Sequence, residues 1–117
     1  MSWFFCSKVT RSLAILARAS LMTPAVASGS EVGEKVYAQT CIACHGANGR
    51  GAIPGVSDFT KSDGPLAKLD DTLFASIRDG LVTPGKPLSM PAKGGNPSLS
   101  DEEIRAVLEY LRSSFGS

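Results

Sequence analysis

The chain has 117 residues with twelve Lys and Arg against eleven Asp and Glu, one His, three Cys and an apolar share of 43%. This is the length of one domain and the apolar content of an ordinary globular protein. The near-zero net charge of +1 excludes the strong basic excess of a nucleic-acid binder.

Residues 1–27 read as an export signal and residues 28–117 as a single domain. Lys8 and Arg11 precede an apolar stretch from Leu13 to Met22, and Ala25-Val26-Ala27 carries the small-x-small pattern of a cleavage site. Arg18 interrupts that stretch, which is too short to span a bilayer. The alternative is an extension that is never cleaved. Removing it takes away Lys8, Arg11 and Arg18, leaving nine basic against eleven acidic residues, a net −2. The partners expected of such a domain do not include nucleic acid.

A first helix begins at Ser28, which with Glu31 fits a capping box, and Val32, Val36 and Gln39-Thr40 continue at helical spacing. It leads into Cys41-Ile42-Ala43-Cys44-His45. C-x-x-C-H is the sequence that attaches a c-type haem: two thiolates add to the porphyrin vinyl groups and the histidine faces the iron. Zinc needs two further ligands, usually a second Cys or His pair, and the chain offers only Cys6 as a third cysteine and no second histidine. A thioredoxin-like C-x-x-C sits in a βαβ context, and no alternating β-branched run precedes Cys41.

The stretch from Gly46 to Gly55 is glycine-rich but lacks the Lys-Ser/Thr ending of a phosphate-binding P-loop and the strand that precedes a dinucleotide turn. It is read as a loop on the haem side. A second helix is expected from about Asp71 to Asp79, capped by Asp70 or Asp71 and stopped at Gly80, with Leu73, Phe74 and Ile77 packing on porphyrin and core. Gly85 to Gly95 is a Pro- and Gly-broken loop around Met90. A last helix starts at Ser100, whose capping box closes with Glu103. Its apolar stripe is Ile104, Val107, Leu108 and Leu111.

An iron held by His45 needs a ligand on its other face. The methionines are Met1, Met22 and Met90, and only Met90 lies outside the export segment. His45 and Met90 are therefore the expected metal ligands, although a lone methionine can equally be core filling. Lys86 and Lys93 flank Met90 and either form a basic rim or are ordinary loop lysines.

With its early C-x-x-C-H, late methionine and the string Met90-Pro91-Ala92-Lys93-Gly94-Gly95 before an acidic-capped helix, the chain resembles the class I c-type cytochromes, most of all the short bacterial c5-like group. The resemblance covers roughly residues 30 to 115. It implies an all-α fold of three main helices and loops wrapped around one covalent haem c. It implies that Gly33 and Tyr37 let the first helix cross the last near Tyr110, and that the Pro54 carbonyl accepts the second ring N–H of His45. It also implies haem attachment outside a bacterial inner membrane, hence a periplasmic protein.

Two axial ligands from the protein leave no open iron position for a substrate, so the expected role is carriage of single electrons rather than catalysis. His/Met ligation raises the potential. The expected donor and acceptor are redox proteins, membrane-bound respiratory complexes among them, met transiently at the haem edge by a monomer. Two alternatives stay open: a cytochrome subunit of a dehydrogenase or oxidase, and a gas-binding haem protein.

Overall fold

The computed structural model describes residues 21–116. Residues 1–20 of the expected export signal lie outside them, and 21–28 are exposed and without regular structure. Helix α1 spans Gly29–Val36. Ser28 caps it as expected: its Oγ accepts the Glu31 N–H at 3.4 Å, and the Glu31 carboxylate accepts the Ser28 N–H at 3.1 Å. The helix runs on through a π-helical turn, Tyr37–Cys41, into α2, Ile42–His45. Helix α3 is Asp70–Asp79 and α4 is Asp101–Phe115, with short 3-10 turns at Pro65–Ala67 and Ala92–Gly95. Among the described residues there is no strand, only an isolated antiparallel bridge between Leu81 and Met90.

The core forms where α4 meets α1 and α3. Helix α4 buries Ile104, Val107, Leu108 and Leu111, the stripe read from its spacing, and Ile104 is fully buried. Val36 and Tyr37 meet it from one side, Leu73 and Ile77 from the other, and Phe59, Leu66 and Leu99 close the gaps from loops. Helices α1 and α4 cross at Gly33. A Cβ there would run into the Ala106 carbonyl and stand 2.8 Å from Cβ of Tyr110. Tyr110 is thus at the crossing, but the closest group is the Ala106 backbone.

One expectation for α3 needs correction. The helix starts at Asp70 with Leu69 as N-cap and no side-chain cap. Neither Asp70 nor Asp71 caps it, because the Asp70 carboxylate instead accepts from Arg112 Nε at 2.6 Å. The same guanidinium donates to the carbonyls of Leu66 at 2.7 Å and Lys68 at 2.8 Å, strapping this segment onto α4. Phe74, about 100° round the helix from Leu73 and about 60° from Ile77, is half-buried and packs on the core beside them, as expected. The Arg105 guanidinium covers its face at 4.6 Å. No helix among the described residues is long and apolar enough to cross a membrane.

Candidate haem-binding site

Cys41, Cys44 and His45 stand at i, i+3 and i+4, so their side chains leave one face of a single helical turn. The π turn shapes that presentation: the Ile42 N–H reaches back to the Tyr37 carbonyl, one residue further than in an α-helix, which widens the helix just before the motif. Both thiols are free; Cys41 is half-buried and Cys44 exposed. Burial, with the neighbouring Cys44 adding to it, pushes the Cys41 thiol up to about 11.

His45 lies flat against Phe59, ring centroids 4.4 Å apart and 17° between planes. Burial lowers its pKa against a smaller opposing pull from the Ser57 backbone, which keeps the imidazole neutral at pH 7, the form that binds metal. Its Nδ1 is buried without a hydrogen-bond partner. No hydrogen bond joins the ring to the Pro54 carbonyl in this structure. Pro54 is exposed in the tight turn from Ile53 to Val56, and the backbone group acting on the ring belongs to Ser57.

The glycine-rich loop folds back onto the motif itself. Gly51 N–H bonds the His45 carbonyl and Ala52 N–H the Cys44 carbonyl, both at 2.8 Å, while the Tyr37 hydroxyl donates to the Gly46 carbonyl at 2.6 Å. Every carbonyl from Cys44 to Gly46 is thereby engaged.

Met90 is half-buried against the core, as is Cys41. Two backbone hydrogen bonds to Leu81, both 2.9 Å, fix its chain position. The turn that follows docks on Thr40, the residue before Cys41. Asn96 Nδ2 lies 3.5 Å from Thr40 Oγ1, and a Cβ on Gly94 would stand 2.8 Å from Thr40 Cγ2. This contact ties the methionine loop to the cysteine helix. Lys86 is exposed, whereas Lys93 is half-buried with a left-handed backbone, φ +54°.

These residues fit a covalent haem. Among the described residues no three His, Cys, Asp or Glu side chains are grouped to hold a metal, so an iron at His45 would draw most of its coordination from a porphyrin. Two free thiols on the imidazole's face suit thioether attachment. Exposed apolar side chains at Ile53, Leu81, Val82 and Leu88 in the flanking loops suit an apolar macrocycle. Phe59 and Asn96 were not marked by the sequence, and Thr40 only as a position on the first helix: none belongs to a motif, and their roles depend on contacts between distant segments.

A family profile described as "Cytochrome C oxidase, cbb3-type, subunit III" matches residues 30–111. The chain belongs to the class I c-type cytochromes. Over 70% of its length this cytochrome is 38% identical to a lupanine 17-hydroxylase [cytochrome c] from a Pseudomonas species, covering 11% of that protein. It is 31% identical over 80% of its length to the cbb3-type cytochrome c oxidase subunit CcoP of Rhodobacter capsulatus, covering 32% of that subunit. It is 35% identical over 68% of its length to cytochrome c-555 of Chlorobaculum thiosulfatiphilum, covering 88% of it. The chain thus spans only a minor part of the first two relatives and most of the third. The finer c5-like grouping rests on the string from Met90 to Gly95 alone. Like its family, this cytochrome has the all-α cytochrome c fold, binds covalent haem c with its iron, and belongs to electron transfer.

Proposed function

We propose that the protein is an exported monohaem electron carrier in which Cys41 and Cys44 hold the porphyrin and His45 and Met90 are the axial ligands. One observation carries this reading: two thiols and a neutral imidazole share one face of a helical turn, and Thr40, directly before that turn, receives the Met90 loop. The haem supplies a one-electron Fe(III)/Fe(II) couple. The chain's part is to hold ligands still. The bridge to Leu81 anchors Met90, and the carbonyl contacts of Gly51, Ala52 and Tyr37 brace the turn that bears His45. A thioether ligand favours a higher potential than a second imidazole. With both axial positions filled by side chains, no site remains for a substrate.

Residues 1–27 are the export signal of this reading, with the Ala25-Val26-Ala27 step exposed for cleavage, and the destination is the periplasm. Partners are redox proteins, including membrane-bound respiratory complexes, met briefly by a monomer at the haem edge. A second reading, a cytochrome subunit of a larger oxidoreductase, is favoured by the relatives that this chain matches over a minor part of their length. Stoichiometric copurification with a catalytic chain separates the two.

The test is an absorption spectrum of oxidised and reduced protein made with a working cytochrome maturation system. The oxidised form should show the weak far-red band of methionine–iron ligation. Met90→Ala should abolish it, lower the potential and let the reduced protein bind carbon monoxide, which the parent binds poorly. An unchanged spectrum removes Met90 from the iron. A parent that readily binds carbon monoxide is a gas-binding protein, and colourless material ends the haem reading.

A further inference from the structure

The loop from Gly46 to Phe59 is bonded to the C-x-x-C-H turn through the Gly51 and Ala52 N–H groups, and closed on itself where the Gly49 carbonyl accepts the Phe59 N–H at 2.8 Å. It carries both groups that bear on the imidazole: the Phe59 ring, stacked on it at 4.4 Å, and the backbone of Ser57. Apart from Gly49, Phe59 is the only residue of this stretch that is buried. A segment with one buried side chain opens readily unless something outside it keeps it shut.

The last turn of α4 supplies that hold. Phe115 lays its ring on Gly49, with Cδ1, Cγ and Cδ2 at 2.8, 2.8 and 3.0 Å from the place a Cβ would take. Gly49 is buried with φ +70°, so its bare backbone is the seat for the ring. The same ring lies near-parallel to Phe59 at 6.2 Å and 23°, and is backed by Tyr37 at 5.5 Å and, edge-on, by Tyr110 at 6.0 Å. One side chain thus meets both partners of the bond that closes the loop, and stands against two tyrosines beside the α1–α4 crossing. Phe115 belongs to no motif and lies past residue 111, where the family match ends.

We propose that Phe115 is a positioning residue for the haem site: from the end of α4 it latches the loop that backs His45, and so steadies the orientation of the imidazole. The latch itself stands on contacts within the chain, whereas the effect on orientation rests on the assignment of His45 to the iron.

The test is amide hydrogen exchange in the holoprotein. The Gly51, Ala52 and Phe59 amides report the loop, and the Leu81 and Met90 amides, bonded to each other's carbonyls, are the reference. Phe115→Ala should speed exchange of the first three about tenfold or more and leave the reference pair unchanged. Phe115→Leu should do the same to a smaller extent, and serves where the alanine variant fails to fold. Phe115→Tyr keeps the flat face and should hold the parent rates. In the oxidised protein the paramagnetically shifted haem-methyl resonances report axial-ligand orientation; they should change in Phe115→Ala, return in Phe115→Tyr, and do so with the far-red band intact. Equal acceleration of all five amides, or none in the loop, overturns the latch, and an unchanged methyl pattern overturns the positioning role. Gly49→Ala adds a cycle: its left-handed strain is common to both backgrounds, so it should lower the thermal midpoint more in the parent than in Phe115→Ala, and an equal loss lifts the ring off Gly49. A parent without a histidine-ligated low-spin spectrum removes His45 from the iron and the effect on orientation with it, while the exchange rates judge the latch by themselves.

Discussion

Tyr37 shows how much one side chain can be asked to do. Its ring packs against Tyr110 and Phe115 at 5.4 and 5.5 Å, and its hydroxyl crosses to the carbonyl that follows His45. Burial first, then the neighbouring Cys41 and Tyr110, push it up to about 12 from 10.0. The neutral phenol is therefore favoured by the fold. Its contribution is fully present below pH 10, is lost as the pH rises towards 12, and changes no further above that. Tyr37→Phe should cost about 1 kcal/mol at neutral pH for the missing hydrogen bond and flatten the fall in stability across that alkaline window. Denaturant titrations of parent and variant at neutral and alkaline pH check both. The need for an aromatic at Tyr37 was legible from the family resemblance, whereas its hydroxyl's destination was not, because Gly46 lies nine positions on and no local pattern links them. Pro54 is a related case: a proline in a loop is visible in sequence, but which carbonyl turns towards a ring is decided by the turn's closure.

At the scale of elements, the helices whose ends carry reciprocal Ser and Glu side chains were read correctly, since a capping box is local chemistry. Helix α3 lacks one, and its start was misplaced by a residue because Asp70 is recruited by Arg112 across 42 positions. The π turn was invisible for the same reason: nothing in Tyr37–Cys41 demands it apart from the packing it serves. The crossing at Gly33 gives a decisive test. Gly33→Ala gains about 1 kcal/mol of helix propensity, yet its methyl meets the Ala106 carbonyl, a backbone group on the most deeply buried helix. Overpacking of this kind costs about 1–3 kcal/mol, and a rigid carbonyl belongs at the upper end. A net loss of about 2 kcal/mol is expected, seen as a lower thermal midpoint of the holoprotein with its helical spectrum retained; a raised midpoint would contradict the crossing.

The molecule as a whole has a modest core for its size. Its buried apolar set comprises a stripe on α4, two residues each from the first helix with its π turn and from α3, and single contributions from three loops, while Val82 is 79% exposed and Leu88 45%. Domains this small are marginal, and a covalent macrocycle would supply the missing apolar surface. The chain without haem should therefore be largely unfolded, and circular dichroism of a Cys41→Ala/Cys44→Ala protein measures it; native-like helicity there would refute the claim. Fold class and cofactor were legible because C-x-x-C-H and the helical stripes are short-range signals. The seating of the methionine loop was not, because it depends on Thr40 meeting Gly94 and Asn96. The mutual pair of hydrogen bonds between Leu81 and Met90 makes the intervening segment a tied-off excursion. Its tip can be lengthened, shortened or recoded at small entropic expense while the knot at its neck keeps Met90 in register, so sequence drift in this stretch need not disturb the position of its end.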